Sequence, residues 1–273
     1  VPEGHTIHRL AQDYARFTGG AARGALRVSS PQGKFADAAA LLDRTALTAT
    51  EAHGKHLFLG FAATGWVHIH LGLFGKVAFG DAPAPPPTDT VRLRLADDTG
   101  YVDLRGPTTC ALITDPEKQA IHARLGPDPL RADADPDAAY RRISRSRTTI
   151  AALLMDQKIV AGVGNVYRAE VLFRHGIDPY RPGRDLTPAE WDAIWADLVE
   201  LMHEGVRLNR IDTVRPAHTP EAMGRPPRVD DHGGEVYVYR RANLPCHLCG
   251  TPVRTAGLAG RNLFWCPTCQ TAR

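Results

Sequence analysis

From Ile7 the apolar positions Ile7, Leu10, Ala11, Tyr14 and Phe17 recur at three- and four-residue intervals, the spacing that gives an α-helix one apolar face. Gly19-Gly20 closes that pattern. The period then drops to two. GALRVSS (24–30), KHLFLGF (55–61), WVHIHL (66–71), KVAFG (76–80), TVRLRLAD (90–97) and YVDL (101–104) are short, branched or aromatic, and separated by Gly, Pro and Asp. Such runs predict an antiparallel sandwich or barrel, ending near residue 110. The proline run PAPPP (83–87) reads as a loop between two of its strands.

After Asp115-Pro116 the helical period returns, with helices expected over roughly 116–124, 136–144, 147–157, 164–173 and 188–203. The acidic, proline-dotted stretch GPDPLRADADPDA (126–138) marks the boundary between halves. Residues 205–232 have weak periodicity and several prolines, so they read as a long surface excursion. The fold class expected is α+β: a helix and β-sandwich over 1–125, a helical region over 126–241, and a small module over 242–273.

No positively charged leader precedes a long apolar run and no stretch approaches a membrane span, which makes the cytoplasm the default location. The net charge of +3 says little about partners, but only five of the 33 basic residues are lysine. Arginine favours planar, multi-donor contacts to phosphate or carboxylate. RRISRSR (141–147) holds four arginines, and the last 28 residues hold three and no acid. Of five cysteines, Cys110 stands alone and reads as a buried thiol.

The other four form the knuckles Cys246-His-Leu-Cys249 and Cys266-Pro-Thr-Cys269, sixteen residues apart. Each brings two thiolates to one tetrahedral ion, and together they close a four-sulfur site. One structural zinc is expected, with iron the chemical alternative. Between the knuckles PVRTAGLAGRNLFWC reads as strand, turn and strand, with Gly260-Arg261 at the turn. Arg261 is either a solvated turn residue or the tip of a rigid finger aimed at phosphate.

The second informative stretch is MDQKIVAGVGNVYRAEVLFRHGI (155–177). Gly162 and Gly164 permit a tight turn and Asn165 is placed to cap the following helix, whose exposed amides suit an anion. A dinucleotide loop fits poorly because the preceding segment is helical. With Arg147 and Arg168 close in sequence, DNA phosphate is the anion expected.

These signals occur together in one family. PEG (2–4), GKHLFL (54–59), HLGLFG (70–75), QKIVAGVGNVYRAE (157–170) and the terminal CxxC…GR…CPxCQ resemble, in order and over nearly the whole chain, the formamidopyrimidine-DNA glycosylase / endonuclease VIII family. The resemblance implies a β-sandwich, a helix-two-turns-helix motif, a zinc finger, and damaged double-stranded DNA as partner. It also implies a monomer that is nucleoid-associated when bound. Catalysis would fall to Pro2 as N-terminal amine nucleophile, Glu3 as acid-base partner and Lys55 beside a phosphate. DNA contacts would fall to His70, Asn165 and Arg261. Leu73 and Phe74, with Arg105, would fill the void left by the extruded nucleotide. The activity implied is base excision through a Schiff base followed by β,δ-elimination.

The resemblance has departures. Where many members read PE-x-PE, this chain has PEGHT, so His5 and Thr6 replace a proline and a glutamate; His5 is expected at the surface or as a cap. PEG and the LFG loop lean towards endonuclease VIII and oxidised pyrimidines; an oxidised-purine glycosylase is the alternative, and a non-catalytic zinc-containing nucleic-acid-binding protein is the rival from another class. While Val1 precedes Pro2, the prolyl nitrogen is a tertiary amide without a lone pair for attack. The chemistry therefore belongs to a chain beginning at Pro2.

Overall fold

The computed structural model describes residues 2–18, 26–229 and 234–271. Val1, the Gly19-Gly20 helix end, the first two residues of GALRVSS and residues 230–232 of the predicted excursion lie outside them. The chain forms two compact units. One comprises Val1–Pro2 and Ile7–Arg124, the other Glu3–Thr6 and Leu125–Arg273.

In the N-terminal unit, helix α1 (Gly4–Tyr14) from Ile7 onward presents the predicted stripe, with Ile7, Ala11 and Tyr14 buried and Leu10 half-buried, and Phe17 is buried in the 3-10 turn that follows. Eight strands build two four-stranded antiparallel sheets: β1 (Arg27–Ser29), β6 (Val91–Ala96), β7 (Gly100–Arg105) and β5 (Lys76–Asp81) in one, and β2 (Leu47–His53), β3 (His56–Phe61), β4 (Gly65–His70) and β8 (Thr109–Ile113) in the other. The predicted strands are present, but β2, β8 and the short helix α2 (Ala36–Leu42) went unread. LTATEAH carries too few apolar residues to show a period, and TCALI runs directly into the helix signal at Asp115-Pro116.

Strand alternation decides what each face of the second sheet carries. Leu57, Leu59, Phe61, Val67 and Ile69 enter the sandwich core, joined by Leu93, Leu95, Val102 and Leu104. The opposite face presents Glu51 and His53, His56 and Phe58, and Trp66, His68 and His70. Helix α3 (Asp115–His122), started by a Thr114–Glu117 capping box, covers part of that face. Its buried Lys118 pairs with Glu51 at 2.7 Å and sits 3.3 Å from the Trp66 ring centroid. Cys110 is half-buried against the core rather than fully buried, and burial raises its thiol pKa to about 12.

In the C-terminal unit, helices α4 (Pro136–Ile143), α5 (Ile150–Leu153), α6 (Asn165–Arg174) and α7 (Pro188–Leu208) enclose a core centred on Tyr167, Leu172, Trp191, Leu198 and Met202. The helix expected over 147–157 is one turn only. Its continuation is replaced by two turns that the Gln157 side chain ties together, Nε2 donating to Val163 O at 2.8 Å and Oε1 accepting from Gly162 N at 3.0 Å. After α7, residues 209–229 form a loop with a short helix α8 (Pro220–Met223), and Arg225 pairs with Glu235 at 2.7 Å. The chain ends in the hairpin β9 (Arg254–Leu258) and β10 (Arg261–Trp265). Ala259 and Gly260 both have positive φ at its turn, so Arg261 is the first strand residue beyond it.

Candidate active site and nucleic-acid interface

The start of α6 is the centre of the site in the C-terminal unit. Four backbone N–H groups at a helix start have no partner within the helix and carry partial positive charge. Here a residue more than 160 positions away supplies the acceptor. Glu3 is fully buried, and its carboxylate accepts from Gly164 N at 3.0 Å, Val166 N at 2.8 Å and Tyr167 N at 3.4 Å. Gly4 N donates to Gly162 O at 2.8 Å. Residues 3 and 4 are thereby fixed to the glycine turn.

This arrangement corrects two expectations. Asn165 does not cap α6: Gly164 stands at the cap position without a side-chain bond, and Glu3 does the capping from outside the helix. The anion at those amides is therefore the protein's own carboxylate and not a phosphate. Small residues make the approach possible. A Cβ on Gly164 would lie 2.4 Å from Glu3 Cδ, and one on Gly4 2.8 Å from Gly162 Cα. His5 is buried rather than exposed, its ring edge-on to Tyr167 at 5.5 Å, and Thr6 Oγ1 lies 3.3 Å from its Nε2. Burial first, and the Glu3 charge second, push the Tyr167 hydroxyl well above its ordinary range.

Asn165 instead faces the hairpin, donating through Nδ2 to Asn262 O at 2.9 Å. Arg168, fully buried, donates to Asn165 Oδ1 and to Asn262 O. Burial lowers its pKa to about 10; the Glu3 charge opposes that shift and the Arg261 charge adds to it. Arg261 is exposed at the hairpin tip. The structure thus brings Glu3, Asn165 and β10, which Arg261 begins, to one end of α6. Glu170, on the same helix, is a further buried acid outside the expected site residues. Its buried carboxylate accepts from Tyr237 N, Val238 N and Tyr239 N at 2.6–2.8 Å and from Thr213 Oγ1 at 2.6 Å. A lone acid within the apolar run VYRAEVLF was the available signal.

The four cysteines converge as expected. Their sulfur atoms all lie within 4.8 Å of one another, with Cys246–Cys269 at 3.9 Å and Cys249–Cys266 at 3.4 Å. Tetrahedral zinc with bonds of about 2.3 Å separates its sulfurs by roughly 3.8 Å, so the set fits that ion. Gln270 locks the second knuckle in place, accepting from Cys266 N at 2.9 Å and donating to Ile177 O at 3.0 Å.

In the N-terminal unit the remaining predicted residues lie towards one end of the sandwich. Lys55 is in the β2–β3 turn, beside His56, and His56 pairs in register with His70 at the end of β4. Leu73 and Phe74 are exposed in the loop after His70, Phe74 by 80 %. That loop packs on the 106–108 turn: a Cβ on Gly72, held at φ +67°, would strike Thr108 Oγ1, and one on Gly106 would lie 3.2 Å from Phe74 O. Arg105 ends β7 there and pairs with Asp103 at 2.8 Å. Behind Lys55 stands a histidine array that sequence reasoning left unassigned. His56 Nδ1 lies 2.8 Å from His68 Nε2, and His53 Nδ1 lies 3.0 Å from His122 Nδ1. Burial, then neighbouring positive charge, lowers His56 to about 3 and His68 to about 4; His70 is lowered by burial and then by Lys55.

Comparison with known proteins bears on both units. The sequence matches the formamidopyrimidine-DNA glycosylase N-terminal domain over residues 1–110, the H2TH domain of that glycosylase over 125–215, and the zinc finger found in FPG and IleRS over 243–272. Endonuclease 8 1 of Mycobacterium tuberculosis is 51 % identical over 275 residues, covering 99 % of this chain and all of the relative. The formamidopyrimidine-DNA glycosylase of Thermus thermophilus is 34 % identical over 236 residues, 85 % of each chain. In fold, the Lactococcus lactis Fpg in complex with abasic-site DNA superposes with a TM-score of 0.77 at 21 % identity, over 99 % of this chain and 100 % of that one. No helix among the described residues is long and apolar enough to cross a membrane. The chain belongs to the formamidopyrimidine-DNA glycosylase / endonuclease VIII family of DNA glycosylases and AP lyases.

Proposed function

We propose that the chain, once it begins at Pro2, removes oxidised pyrimidines from duplex DNA through an N-terminal proline Schiff base. The observation that carries this reading is the anchoring of Glu3: three amides hold its carboxylate and Gly162 holds the next residue, so the acid that follows position 2 in the chain is fixed before substrate arrives. A free α-amine has a reference pKa of about 8, roughly 2–3 units below lysine, so a useful fraction is unprotonated at neutral pH. The prolyl nitrogen forms a bond to the sugar C1′ as the C1′–base bond breaks, and the base leaves with a proton. The prolyl nitrogen then loses its proton and the C1′–O4′ bond breaks, O4′ taking a proton, which turns the adduct into an iminium. This acidifies the C2′ proton, whose removal expels the 3′ phosphate, and a second elimination expels the 5′ phosphate. Glu3 acts in ring opening and proton transfer. Lys55, His70, Asn165 and Arg261 contact phosphate, and Leu73, Phe74 and Arg105 occupy the vacated space in the duplex.

The pyrimidine preference is supported by the 51 % identity to an endonuclease 8. One zinc ion on Cys246, Cys249, Cys266 and Cys269 has a structural role, since four thiolates leave no open position for substrate. We assign the chemistry to residues 1–125, duplex binding to 126–241, and the finger to 242–273, in a monomer.

The test is intact mass, then borohydride trapping with thymine-glycol, 8-oxoguanine and abasic duplexes. A chain beginning at Pro2 should trap, with thymine glycol preferred; Pro2 chain that binds abasic DNA without trapping sinks the amine mechanism, and an 8-oxoguanine preference sinks the pyrimidine assignment. Glu3→Gln should lower excision by at least about 100-fold while affinity for an abasic analogue changes far less. Equal losses in both would reject its chemical role.

A further inference from the structure

Arg168 lies in the first turn of α6 with its side chain fully buried, a rare environment for a guanidinium. Its partners are one amide oxygen and two backbone carbonyls: Asn165 Oδ1, Asn262 O at 3.5 Å and Ala151 O at 3.4 Å. Its Nε has no hydrogen-bond partner among the described residues. Asn165 Nδ2 donates to the same Asn262 carbonyl at 2.9 Å.

The chemistry of the donors fixes the orientation of the asparagine. Arginine only donates and a carbonyl only accepts, so Oδ1 must face Arg168 and Nδ2 must face β10. One Nδ2 hydrogen serves Asn262 and the second remains for an incoming acceptor. Asn262 follows Arg261, so the carbonyl that Arg168 and Asn165 share belongs to the strand that Arg261 begins.

We infer that Arg168 is a positioning residue for DNA binding: it turns the Asn165 amide so that Nδ2 is offered as a donor, to the Asn262 carbonyl of the finger strand and to an incoming phosphate. Asn165 and Arg261 then act on the phosphate backbone as one preorganised unit. This rests on the reading above that Asn165 contacts phosphate.

A double-mutant cycle separates the two statements. Zinc-loaded chain beginning at Pro2 is titrated with an abasic-analogue duplex as wild type, R168M, N165A and R168M/N165A. Loss of a hydrogen bond to a charged phosphate should weaken N165A about tenfold, and loss of its orientation should weaken R168M about fivefold. The double variant should be no weaker than N165A, about tenfold rather than the roughly fiftyfold of independent sites. Multiplying losses overturn the inference, because Arg168 would then act through something other than Asn165; so does R168M binding like wild type. If N165A alone keeps full affinity, the phosphate assignment of Asn165 falls, and the inference with it. R168K, with one ammonium to share between the acceptors, should show a milder loss with the same non-additivity, and it carries the cycle should R168M fail to fold.

Discussion

Two buried acids of the C-terminal unit are held by the main chain, whereas one of the N-terminal unit is held by arginine, as Asp197 of the C-terminal unit also is. In the C-terminal unit Glu3 and Glu170 accept three backbone amides each. In the N-terminal unit Asp103 accepts two bonds from Arg94, at 2.6 and 2.8 Å, and one from Arg105. A guanidinium rides on a flexible stem, whereas an amide moves only if the main chain moves. Carboxylates held by amides therefore fix the path of the chain: Glu3 ties residue 3 to the start of α6, and Glu170 sets residues 237–239 on the way to the finger. Arg94 and Asp103 are already partners in the β6–β7 register, so their ion pair adds strength where the sheet has supplied position.

The largest effect should come from Glu170→Ala, which strands three amides and a threonine hydroxyl in the interior and should cost about 4 kcal/mol. Urea unfolding measures this, and zinc should become easier to chelate as the finger loosens. A loss smaller than that of the arginine variant below would mean that amide-held acids do not dominate. Arg94→Met, which leaves Asp103 with Arg105 alone, should cost about 3 kcal/mol, whereas the matched apolar pair Arg94→Met with Asp103→Leu should recover most of it. Equal damage in single and double variants would show that the pair does supply position.

Acid should separate the units more gently. His56 and His68 titrate at about 3 and 4 when folded, against 6.5 as the ordinary value. The unfolded chain therefore takes up protons that the folded one refuses. Their contribution is complete above pH 6.5 and declines as pH falls towards 4. In the C-terminal unit burial opposes, and His175 and Arg174 outweigh it to hold, Asp197 at about 2; its contribution persists above its ordinary 3.8 and fades only as pH nears 2. The thermal midpoint should drop between pH 6.5 and 4, and less so in His56→Asn/His68→Asn. A midpoint that is flat over that range removes the histidine array as the cause.

Local features were legible because local chemistry fixes them. The α1 stripe, the strands with clear alternation, the span of α6 and the four-cysteine knuckles each depend on residues within a few positions or on a spacing that one ion dictates. Arg261 could be placed beside a turn because Gly260 tolerates its positive φ. The helix expected over 147–157 was not to be had from periodicity, since the Gln157 side chain replaces its later turns with bonds to Gly162 and Val163.

Residue order alone was enough for the alternation of faces, the four-cysteine cluster and, through its ordered set of motifs, the family. Only the tertiary structure decided which acceptor takes the amides of α6. An anion site looks the same in sequence whether phosphate or a distant glutamate fills it. The choice depends on a contact across 161 positions that glycines at 4 and 164 leave room for. Nor does any local pattern announce that Arg168 turns inward to orient Asn165, because burial of a charge is settled by what surrounds it and not by its neighbours in the chain.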